Sequence, residues 1–206
     1  MNAQQYTGKP KATGLSWSWY GKLPGAGDFS VSNLHPAELD CLDNWISHIL
    51  QTGQQRHSQA WHDAYMAMPM LGFALGASCL GTTQHAKAHG VWMPSVDSAG
   101  RAFPLMLFCW QNHACAAKTR GADDAGELLA SLYNTCVHAL TQDWCFAHLQ
   151  NALNGLGEPS VNTDVAPGIS RWGWLRPDGT LQNALDCKGL PTLLHFEQWM
   201  RLEQQQ

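Results

Sequence analysis

The chain has 206 residues, 45% of them hydrophobic and only 14% charged, with a formal net charge of −4. A chain of this length and apolar content buries a large core, which excludes disorder as its overall state, and a single domain is expected because domains commonly run to about 100–150 residues. The 12 Lys and Arg are dispersed rather than gathered in a basic run. Nothing therefore suits a surface that tracks phosphates, and nucleic acid is not an expected partner.

In chain order, residues 1–14 read as a flexible lead with no apolar signal segment, followed by one domain over residues 15–203. Leu15 to Tyr20 alternates apolar residues with Ser and carries aromatics, the pattern of a half-buried strand. Residues 21–29, GKLPGAGDF, hold three glycines and a proline and read as a loop. Pro36 suits a first helical turn, with Asn33 or His35 near the cap and Glu38 and Asp40 at the positive end of the helix dipole. Leu39, Leu42, Ile46 and Ile49 then recur at helical spacing as far as Gly53. A second helix is predicted over Gln54–Met68, with Trp61, Ala64, Tyr65 and Met68 on one face and Pro69 ending it.

Short strands are predicted at Leu71–Leu75 and Gly90–Met93 and a stronger one at Phe103–Trp110, whose unbroken apolar run places it centrally in a sheet. Residues 94–102, PSVDSAGRA, have the composition of a connecting turn. Residues 111–126 read as a surface loop, and Leu128, Leu132, Val137 and Leu140 predict a long helix that continues past Trp144 toward Leu153. Ile169–Leu175 is a further strand, turned by Pro177-Asp178-Gly179, and a last helix is predicted over Thr192–Leu202. This interleaving predicts a layered α/β domain with a central mixed β-sheet flanked by helices.

Between Asp63 and Lys87 the chain carries no formal charge and is long enough to cross a bilayer. Pro69, Gly72, Gly76 and Gly81 make it a poor spanning helix, so no membrane insertion is expected. The seven Cys are odd in number and include no C-x-x-C pair, which suits free thiols in a reducing compartment and a cytoplasmic location. Ten Trp equal Tyr and Phe together. Trp45 and Trp61 fall on helix faces and read as core, whereas Trp17, Trp172 and Trp174 are candidates for a contact surface with a protein partner.

Lys22 precedes the glycine-rich stretch and Leu23 follows it, so the loop is not a Walker A phosphate cradle. His57 with His62, His85 with His89, and Cys145 with His148 have helical spacing, but no second pair completes a zinc site, and no metal or cofactor is expected. Ser95 is the most conspicuous serine, yet no G-x-S-x-G elbow surrounds it and Asp97 favours an Asx-turn, so no catalytic residue is assigned and the chain is not expected to be an enzyme. Two turns gather the remaining polar residues: Lys22 and Asp28 in one, Ser95, Asp97 and Arg101 in the other. If strands 90–93 and 103–110 pair, Arg101 is placed to clamp Asp97 or Asp28, either as a salt bridge that fixes the loops or as part of a recognition surface.

Two stretches carry a resemblance. Trp19-Tyr20-Gly21-Lys22-Leu23-Pro24 with Gly27-Asp28-Phe29 resembles the opening motif WYGKLPxxGDF of the TagF (also ImpM or SciT) proteins of bacterial type VI secretion. Gly90-Val91-Trp92-Met93-Pro94-Ser95-Val96-Asp97, then Gly100-Arg101 and Phe103-Pro104-Leu105, is similar to the same family's second motif. The resemblance implies a cytoplasmic accessory protein that restrains apparatus assembly after translation. It further implies binding to a forkhead-associated scaffold protein and a link to a threonine kinase and PP2C-type phosphatase pathway. On that basis Lys22, Asp28, Ser95, Asp97 and Arg101 are candidates for partner binding or loop shaping. The alternative expectation is an enzyme or small-molecule sensor whose pocket is lined by loops 21–29 and 94–102.

Overall fold

The structure, a computed structural model, describes residues 17–81, 87–111, 123–156 and 164–202. The lead expected over residues 1–14 and most of the expected surface loop lie outside them. The elements are β1 (Trp17–Gly21), β2 (Ser30–Ser32), α1 (Pro36–His57), α2 (Gln59–Ala67), β3 (Leu71–Leu75), β4 (Lys87–Met93) and β5 (Leu105–Gln111), followed by α3 (Asp123–Thr141), α4 (Phe146–Gly155), β6 (Ile169–Leu175), β7 (Leu181–Lys188) and α5 (Leu193–Trp199).

The strands form one sheet in the order β2-β1-β5-β4-β3-β6-β7. The layered α/β architecture is as expected, but the sheet is not mixed: every pairing among the described strands is antiparallel. The reason lies in the connections. β3 to β4, β4 to β5 and β6 to β7 follow one another with no helix between among the described residues, and neighbours joined that way return antiparallel, since a parallel pair needs a crossover.

Alternation along the central strands sorts side chains onto two apolar layers. On one face Tyr20, Trp92, Met106, Phe108 and Trp172 meet Leu42, Ile46 and Ile49 of α1, Trp61 and Tyr65 of α2, and Phe196 and Trp199 of α5. On the other, Trp19, Val91, Leu105, Leu107 and Cys109 meet Leu128, Leu129 and Leu132 of α3 and Leu149 and Leu153 of α4. β5 is buried from Leu105 to Trp110 on both faces, which is why it shows no alternation in sequence.

Helix ends depart from the periodic reading where single residues do unexpected work. His35 caps α1, its ring Nδ1 accepting from the Ala37 amide at 3.3 Å while Glu38 accepts from the His35 amide at 3.0 Å. α1 then runs through Gly53 to His57, because this glycine lies under the Trp61 indole, where a Cβ would sit 2.4 Å from the ring. The long helix expected after Leu128 is two helices. Asp143 adopts a left-handed conformation, φ +47°, and the Trp144 amide reaches back to the Ala139 carbonyl at 3.1 Å, closing α3 with a Schellman-type turn.

Candidate functional site

Gly21 ends β1 with φ +140° and lies so close to β5 that a Cβ would stand 1.9 Å from the Pro104 carbonyl oxygen. Only glycine fits, and this contact directs the following loop across the start of β5. The Lys22 amide donates to the Pro104 carbonyl at 3.3 Å, and the Ser98 amide to the Ala26 carbonyl at 3.1 Å. Gly25 packs against the Asp143 and Trp144 carbonyls between α3 and α4. Loops 21–29 and 94–102 are thereby laced together at one end of the sheet.

Their centre is Asp97, whose side chain has no solvent exposure. Its Oδ2 accepts from Lys22 Nζ at 2.8 Å and from Arg101 Nε at 2.6 Å. Oδ1 accepts from the Ala99 and Arg101 amides at 3.0 and 2.9 Å. Burial pushes the carboxyl upward, but the Lys22 ammonium, the Arg101 amide and guanidinium and the Ala99 amide outweigh it and hold the group well below the usual carboxylate range. Gly100, at φ +76°, lets the chain turn so that all these donors converge.

The other candidates divide around this centre. Of the two carboxylates open to Arg101, the guanidinium takes Asp97, and its Nη2 reaches the Gly27 carbonyl at 3.4 Å. Asp28 is exposed and joins no hydrogen bond or ion pair with another described residue. Ser95 is 2% exposed and shapes the loop through its backbone: its amide donates to the Tyr65 hydroxyl at 3.2 Å, and its carbonyl accepts from the Phe103 amide at 3.0 Å. Its Oγ faces its own neighbour's carbonyl, Val96, at 3.4 Å rather than a base.

Sequence reasoning did not single out Phe29 as a site residue. The ring is 43% exposed, meets Phe103 edge-on at 4.6 Å between centroids and lies over Tyr20 at 6.1 Å. Lys22 Nζ sits 4.4 Å from its centroid. Arg101, with 65% of its side chain exposed, completes a surface of one aromatic ring and one guanidinium over a buried ionic foundation. The signal for Phe29 was present in the motif itself, a large apolar residue at the tip of a glycine-rich loop.

Elsewhere, His57 Nε2 donates to the buried Glu197 at 2.8 Å, which Arg56 also pairs at 2.9 Å. His89 lies in β4 rather than on a helix. Cys145, at the N-terminus of α4, approaches His148 Nδ1 at 3.5 Å, and the His148 and Ala147 amides lower its thiol pKa. Among the described residues no three His, Cys, Asp or Glu are grouped to hold a metal ion, and no helix is long and apolar enough to cross a membrane. Two cavities, of about 470 and 250 Å³, lie away from the ionic centre; Ala102 is the one residue of the two loops among their described linings.

The crystal structure of PA0076 from Pseudomonas aeruginosa PAO1 superposes with a TM-score of 0.68 over 90% of this chain and 94% of that one, at 23% identity, a likeness of fold. No curated protein sequence matches. The family model of the TagF N-terminal domain, type VI secretion system-associated, matches residues 18–156, a stretch that contains both laced loops and every residue of the Asp97 centre. With about two thirds of its length matched, the chain belongs to the TagF family of type VI secretion system-associated proteins.

Proposed function

We propose that the chain is a post-translational regulator, a repressor of type VI apparatus assembly, that acts in the cytoplasm as a non-enzymatic adaptor through protein–protein binding. The observation that carries this reading is the Phe29–Arg101 surface, a half-exposed ring and an exposed guanidinium fixed on loops that Asp97 ties together. Aromatic and Arg side chains on a pre-ordered frame are the residue types that dominate binding energy at interfaces. The partner proposed is the forkhead-associated scaffold protein, with a functional link to the threonine kinase and PP2C-type phosphatase pathway. A pocket for an enzyme or sensor between the same loops has less support, since the Asp97 oxygens are already spent on internal donors.

Titration calorimetry against the purified scaffold tests the reading. Phe29→Ala is expected to cost about 2 kcal/mol of binding or more, the range of an interface hot spot. Asp28→Ala is expected to weaken binding less and to leave the thermal midpoint in place, whereas Phe29→Ala lowers the midpoint modestly through its contacts with Tyr20 and Phe103 while the chain stays folded. Unchanged binding in both variants rejects the surface, whereas a wild-type chain that does not bind the scaffold rejects the partner.

A further inference from the structure

At the end of β4 remote from the Asp97 loop, His89 lies between Ala74 of β3 and Cys109 of β5 and is 5% exposed. Among the described residues neither of its ring nitrogens has a hydrogen-bond partner. Buried polar side chains are nearly always paired, so an imidazole with both nitrogens idle leaves a donor and an acceptor open to a ligand. His89 lines a cavity of about 470 Å³, and Ala74, Leu129, Val165 and Leu181 supply its apolar wall. That volume falls within the range of about 300–1,000 Å³ common to small-molecule sites.

The charges nearby do not offer an ionic partner. Arg171 and Asp164 also line the cavity, but they pair with each other at 3.1 Å, and Asp186 holds the same guanidinium at 2.7 Å. Desolvation lowers the His89 pKa to about 4, Lys87 acts in the same direction and Asp164 opposes it, so the ring is neutral at physiological pH. A neutral imidazole presents one donor and one acceptor. A charged ligand would lose its water beside a neutral ring and would have to break the Arg171–Asp164 pair to reach a counter-charge.

We propose that this cavity binds a small, uncharged, mainly apolar molecule carrying a hydroxyl or carboxamide group that hydrogen-bonds to His89. The site is separate from the Phe29–Arg101 surface and does not depend on its function.

Phenol serves as the probe, with toluene and benzoate for comparison, read by thermal shift and by the ring nitrogen resonances of His89 in NMR. Phenol is expected to raise the melting temperature and move the His89 signals, with toluene binding about tenfold more weakly, the equivalent of one buried hydrogen bond. In His89→Leu the preference for phenol over toluene is expected to vanish, and in His89→Gln, which keeps a donor and an acceptor, to persist. Phenol that leaves the wild-type melt and ring signals unmoved overturns the proposal, as does a phenol preference that survives in His89→Leu or a stronger response to benzoate. Should His89→Leu fail to fold, the wild-type ring signals decide: movement with phenol and not with toluene supports the site, and no movement overturns it.

Discussion

A carboxylate shut away from water stays ionised only when donors replace the solvent, and Asp97 has four, from Lys22, Ala99 and twice from Arg101. Asp97→Asn keeps the shape and removes the charge, leaving the Lys22 ammonium buried without its counter-ion. A loss of about 3–5 kcal/mol in urea unfolding is expected, as for other buried pairs broken from one side. The pH dependence has a definite sign. Because the folded-state pKa is depressed, the stabilisation is complete above the ordinary carboxylate range and is lost as pH falls from about 4 toward the lower folded value. The stability gap between wild type and Asp97→Asn should therefore be constant near neutrality and narrow below pH about 4. The sequence left Arg101 to clamp either Asp97 or Asp28 once strands 90–93 and 103–110 pair, and the turn between those strands brings Asp97 to it. Lys22 was placed in the other loop, but its bond spans 75 positions, and no local pattern reports a contact set by strand order. His89 drew notice only as half of a metal pair, since burial without a partner leaves no trace in spacing.

At the level of elements, the periodic segments were readable and their ends were not. α1 and β6 lie where hydrophobic period places them, because burial of one face imposes that period, and β3, buried at every position, lies where its short apolar run places it. Gly53 read as a stop but is a contact, and the distinction has a measurable sign. Gly53→Ala gains about 1 kcal/mol of helix propensity, yet its Cβ would meet the buried Trp61 ring, and overpacking of that kind costs about 1–3 kcal/mol. A lower thermal midpoint is expected, against the propensity scale. Asp143 offers the opposite case, an L-residue in a left-handed turn. Asp143→Gly relieves that strain and should stabilise by about 0.5–1 kcal/mol in denaturant unfolding. β7 went unread because LQNALDCK lacks β-branched residues and is largely exposed at the sheet edge, where packing asks little of sequence. β2, at three residues, is too short to carry a period.

For the whole molecule, the abundance of tryptophan turns out to be mostly core construction. Trp172 was a candidate for contact surface but is fully buried, its ring 4.6 Å from Phe73 and 5.7 Å from Trp45 between centroids, and its Nε1 donates to Ser170 at 2.8 Å. The pattern of alternate residues placed it on a face correctly; it could not say that α1 and α5 cover that face. Trp172→Ala is expected to cost about 3–5 kcal/mol and to flatten the near-ultraviolet circular dichroism, while Trp17 and Trp174 are only half-buried. The turn between α3 and α4 has a practical consequence of its own. Burial raises the thiol pKa of Cys41, Cys79, Cys109, Cys136 and Cys187, whereas that of Cys145 is lowered. Thiolate is the reactive form, so brief treatment with a maleimide dye near neutrality should modify Cys145 before those five, as peptide mapping would show. Gly25 packs on the carbonyl of the residue just before it. The chain thus carries, without mutation, an attachment point for a fluorophore beside the loop that holds Phe29, from which docking at that surface can be timed.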